Sequence, residues 1–128
     1  MNIGYLLSGL GSAVTFGLHI WGGGPEFLDA YLNTLSDPRL RAMSVVLWHA
    51  VSLALALQAL ALIWLARTPS RPLGMYIAAG QIGWAILFLI VGQTMLGTVW
   101  DFVQWIVFLF LAGLSLWGVV KAPRQPRL

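Results

Sequence analysis

Four long apolar runs, separated by short polar or glycine- and proline-rich breaks, account for nearly the whole chain. The first covers about 3–21, close to the ~20 residues a helix needs to cross a bilayer. Its polar members Ser8, Ser12, Thr15 and His19 fall at helical spacing on one stripe. Polar side chains in a membrane helix turn toward the protein interior, where they find partners. Gly9, Ala13 and Gly17 form a second stripe that permits close helix approach.

Gly22-Gly23-Gly24-Pro25 predicts a break after Trp21. Phe27, Leu28, Tyr31, Leu32 and Leu35 then recur at helical spacing, with Glu26 and Asp29 in the first turn. This pattern predicts a short amphipathic interfacial helix over about 25–36, lying on the bundle outside the cytoplasm. Asp37 and Pro38 have the chemistry of an N-cap and a first helical position. They open the second helix, whose apolar span is about 42–66. Arg67–Pro72 is a tight basic connection. The third span is about 73–94, with Gly80, Gly83 and Gly92 as expected close-contact points, and the fourth is about 99–120. A basic tail, 121–128, follows. The fold class is therefore all-α, a single four-helix transmembrane bundle.

Composition agrees with this class. The chain has 128 residues, 59% hydrophobic and only 9% charged, against about 25% charged in soluble proteins. Mean hydropathy is +0.85. The absence of cysteine excludes disulfides and thiolate chemistry. The net charge of +3 comes from Lys and Arg flanking apolar spans, so it reads as a topology signal and not as a nucleic-acid surface. Arg67, Arg71, Lys121, Arg124 and Arg127 collect at one end, Arg39 and Arg41 at the other. This bias predicts both termini in the cytoplasm, in a bacterial inner membrane. The first span lacks a basic leader and a small-x-small cleavage site, so it reads as a retained helix.

Candidate chemistry concentrates at the outer end. Both histidines lie there, His19 closing the first span and His49 roughly 10 Å into the second at 1.5 Å per residue. Asp101 lies at the start of the fourth span, and Glu26 lies in the amphipathic segment. Two imidazoles and a carboxylate form a suitable donor set for a transition metal such as Zn, Fe or Cu. The predicted ligands are thus His19, His49, Asp101 and Glu26, with Gln93, Gln104, Trp48, Trp105 and Ser52 lining the pocket. Paired histidines in a four-helix bundle also admit a single b-type haem, held by His19 and His49. A different class is a non-catalytic bundle: a protomer of an oligomeric small-solute or ion transporter, or an accessory subunit of a larger membrane complex. The pattern does not decide whether the protein is an enzyme.

The stretch His19-x-x-Gly-Gly-Gly-Pro25, with Trp48-His49 and Gln104-Trp105, resembles uncharacterised small bacterial integral membrane proteins with four spans. The resemblance implies no activity. It implies that the two histidines belong to one site.

Overall fold

The computed structural model describes residues 1–123; the basic positions Arg124 and Arg127 lie outside the described residues. Four helices are long and apolar enough to cross a membrane: α1, Ile3–Leu32; α2, Pro38–Arg67; α3, Arg71–Leu96; and α4, Gln104–Lys121. They form an all-α, membrane-spanning bundle. α1 packs against α2 and α4, and α3 packs against α4, while α2 and α3 touch only sparsely. Leu10, Val14, Leu53, Leu57, Leu60, Ile86, Ile90 and Phe110 remain exposed around the outside. A belt of that size has no place on a soluble monomer and is the surface lipid covers.

The expected separate amphipathic helix over 25–36 does not form. α1 runs through Gly22-Gly23-Gly24-Pro25 to Leu32, wound as a π-helix over His19–Asp29. Proline breaks an α-helix by meeting the carbonyl four residues back. A wider π turn shifts that carbonyl, and three glycines add no side chains to crowd the turn. The chain leaves helical geometry only at Asn33–Asp37. There Asp37 accepts a hydrogen bond from the Arg39 N–H at 2.8 Å and caps α2, as its sequence position predicted.

α3 ends at Gly97, whose φ of 72° is left-handed, a conformation glycine adopts without Cβ strain. α4 starts at Gln104 and not near 99, because the intervening backbone is tied to side chains. Thr98 Oγ1 accepts from the Trp100 N–H at 3.2 Å, and Trp105 Nε1 donates to the Val99 carbonyl at 3.0 Å.

One end of the bundle is pinned tightly. The Asn2 N–H donates to the Ala66 carbonyl at 2.7 Å, and Asn2 Nδ2 donates to the Gly118 carbonyl at 2.7 Å. The Tyr5 hydroxyl donates to the Ser70 carbonyl at 3.0 Å. Arg71 Nε donates to the Val119 carbonyl at 3.0 Å. α1 and α4 cross here backbone to backbone: a Cβ on Gly4 would stand 2.5 Å from the Gly118 nitrogen. Tyr5, Leu62, Leu65, Ala66, Ile77, Val119 and Ala122 form the core of this end.

Above that core lies a fully buried polar knot. Ser115 Oγ donates to Gln81 Oε1 at 2.9 Å, Gln81 Nε2 donates to Ser8 Oγ at 3.2 Å, and Ser8 Oγ donates to the Leu111 carbonyl at 3.0 Å. It joins α1, α3 and α4. Gln58 Nε2 on α2 donates to Ser12 Oγ at 3.2 Å and ties in the fourth helix. The interior-facing stripe on α1 is therefore real for Ser8 and Ser12, both 0% exposed. Gly80 and Gly83 are not close-contact points. Both are exposed with open space beside them, because α3 turns Ala78, Gln81 and Ala85 inward instead.

Candidate functional site

Past the polar knot the four helices spread, and a cavity of about 550 Å³ opens among them. Its wall is made of Phe27, Trp48, Trp84, Phe88, Phe102 and Phe108, with Leu18, Val51, Leu55 and Val107 between. The rings brace one another. Phe88 stacks on Phe108 with centroids 5.9 Å apart, Trp84 on Phe108 at 6.1 Å, and Phe102 meets Phe88 edge-on at 6.1 Å. The sequence placed Trp84 and Phe88, and likewise Gln104 and Phe108, four residues apart on one helical face. That spacing is the signal that would have found this wall.

The polar members of the wall are few: Thr15, His19, Glu26 and Gln104. The His19 ring lies flat on the Trp48 indole, centroids 4.1 Å apart and planes 15° from parallel. His19 Nε2 lies 3.3 Å from the Trp48 carbonyl oxygen. A carbonyl can only accept, so this contact selects the tautomer with the proton on Nε2 and leaves Nδ1 an acceptor. Gln104 Oε1 is buried and has no hydrogen-bond partner among the described residues. Such an atom is costly in an apolar site, by about 1–3 kcal/mol. The pocket therefore presents one buried acceptor that lacks a donor, Gln104 Oε1, and a His19 ring whose Nδ1 makes no hydrogen bond among the described residues, on a surface otherwise largely aromatic and aliphatic.

The structure divides the predicted site residues. His19, Glu26, Trp48 and Gln104 line one cavity. His49 does not: it is exposed on the outer face of α2, one residue past Trp48 and so turned about 100° around the helix. Eighteen residues separate it from Arg67, about 27 Å of helix. Asp101 is exposed in the loop before α4, and Gln93 is exposed near the end of α3. Trp105 is half-buried and its indole N–H is committed to Val99. Ser52 is buried and donates to the Trp48 carbonyl at 3.1 Å, within its own helix. Among the described residues, no three His, Asp or Glu side chains are grouped to hold a metal ion. For the paired histidines, the cavity that His19 lines does not include His49, which is exposed on α2.

No family model, curated protein or solved structure matches this chain.

Proposed function

We propose that this membrane protein binds a lipid-soluble ring compound bearing hydroxyl donors, of the hydroquinone or phenol class, in the aromatic cavity at the outer end of the bundle. The observation that carries the reading is the pairing of six aromatic rings with uncommitted acceptors at His19 and Gln104. The cavity volume lies within the range of about 300–1,000 Å³ usual for small-molecule sites. Flat rings stack against the wall, and each ligand O–H gives an orphaned acceptor its donor. A position level with the membrane edge suits an amphiphile that arrives from the lipid. In this reading the end carrying Arg67, Arg71 and Lys121 faces the cytoplasm, and the end carrying all four acidic residues faces outward.

The test is a titration of the purified protein with a short-chain hydroquinone and with its dimethyl ether, followed by quenching of tryptophan fluorescence from Trp48 and Trp84. The hydroquinone is expected to bind saturably and about 5–30-fold more tightly than the ether, from one or two hydrogen bonds of about 1 kcal/mol each. A Val51→Trp variant, which fills the cavity, is expected to lose binding. Equal affinity for the two compounds, or unchanged binding by Val51→Trp, refutes the proposal.

A second reading keeps a transition metal, held at the rim by His19 and Glu26. The favouring observation is that both line the same cavity. Two protein donors fall short of the three usual at an open metal site, so this reading ranks below the first. Metal content that is stoichiometric in the wild type and lost in His19→Ala would reverse the order.

A further inference from the structure

A second cleft, of about 390 Å³, lies at the opposite, pinned end of the bundle. It is lined by Asn2, Ile3 and Gly4 at the start of α1, Arg67 at the end of α2, and Trp117 and Lys121 on α4. Arg67 and Lys121 are exposed, and neither makes a hydrogen bond or ion pair among the described residues. Arg71, the neighbouring cation, is instead spent on the carbonyls of Val119 and Val120. The four acidic residues, Glu26, Asp29, Asp37 and Asp101, all belong to the far end, so among the described residues no acidic side chain competes for these two cations. Trp117, 44% exposed, lines the same cleft, and exposed indoles at the ends of membrane helices anchor in the headgroup layer.

Arg67 and Lys121, cations from different helices with no partner among the described residues, converge on one cleft beside an exposed tryptophan and make it a positively charged notch. We propose that this cleft binds the phosphodiester of an anionic phospholipid, with Arg67 gripping two phosphate oxygens, Lys121 supplying a second charge, and an acyl chain running down past Trp117. Planar guanidinium matches two oxygens of one phosphate, and basic pockets between membrane helices hold lipid headgroups in this way. The site is separate from the aromatic cavity and does not depend on what that cavity binds.

The experiment uses the full chain in nanodiscs of phosphatidylcholine with or without phosphatidylglycerol, reading the thermal midpoint and, by native mass spectrometry, the lipid retained after release. Wild type is expected to retain one phosphatidylglycerol and to gain in midpoint when that lipid is present. Arg67→Gln and Lys121→Gln are each expected to lower retention about fivefold, the effect of one cation near a charged headgroup. Arg39→Gln, which removes one charge at the other end, is expected to leave retention unchanged. Arg67→Lys keeps the charge but not the two-oxygen fork, so retention intermediate between wild type and Arg67→Gln is expected, with a midpoint in phosphatidylcholine alone equal to wild type, which separates loss of binding from loss of folding. Equal losses from Arg39→Gln and Arg67→Gln would overturn the site in favour of diffuse charge attraction. Inorganic phosphate reproducing the whole gain in phosphatidylcholine alone would overturn the lipid assignment and leave only a free-anion site.

Discussion

Replacing Gly118 by Ala probes the backbone crossing on which the closed end of the bundle depends. The added methyl carbon would stand 2.5 Å from Tyr5 Cδ1 and 2.8 Å from Cε1 and Cγ, well inside van der Waals contact. Tyr5 cannot swing aside. It is 0% exposed, its hydroxyl is bonded to the Ser70 carbonyl, and its ring already presses on Gly74. The helices must therefore part, and overpacking of this kind costs about 1–3 kcal/mol. Alanine also favours the helix over glycine by up to about 1 kcal/mol, which obscures the effect in a single variant. Gly83→Ala provides the control, because Gly83 is exposed on α3 with nothing within 4 Å of the added carbon. The propensity gain is shared, so the difference between the two variants isolates the tertiary clash. Reversible unfolding in mixed micelles, followed by far-UV circular dichroism and tryptophan fluorescence, is expected to place Gly118→Ala about 1–3 kcal/mol below Gly83→Ala. Equal stability of the two would mean that α1 and α4 do not cross at Gly4 and Gly118.

The polar knot makes a related claim. Gln81→Leu removes two interhelical hydrogen bonds but frees the Ser115 hydroxyl to donate to Ser8 Oγ, 2.8 Å away, so the same unfolding assay is expected to show a loss of about 1–2 kcal/mol and no collapse. Gln104→Leu removes a buried acceptor without a partner; hydroquinone affinity is expected to fall about fivefold to tenfold, while the fold holds or gains stability. His49→Ala and Asp101→Asn are expected to leave hydroquinone quenching unchanged, since neither side chain lines the cavity, whereas His19→Ala weakens it. Asn2→Ala removes both the cap on α1 and the tie to Gly118, and the thermal midpoint is expected to drop by an amount equivalent to about 1–2 kcal/mol.

The sequence by itself determined the membrane class, the number of helices and which residues stay inside one of them. Those properties follow from apolar length and from helical periodicity, which are local and additive. The stripe Ser8–Ser12 and the Asp37-Pro38 start of α2 were legible for that reason. The path of the chain through Gly22–Pro25 was not, because glycine and proline report a weak preference that packing overrides. Here Gly23 rests against the Trp48 indole, 3.1 Å from its added Cβ to Cη2, and the helix continues. The division of the two histidines was equally hidden. His19 stacks on Trp48, the residue next to His49, yet nearness along a helix says nothing about azimuth. Rotation of α2 about its own axis, set by Leu55, Ala59 and Leu62 meeting the other helices, brings Trp48 to the cavity and carries His49 to the outside. The aromatic cavity exists only because four separate helices spread above the knot, and that is a property of their mutual packing, which no single stretch of chain encodes.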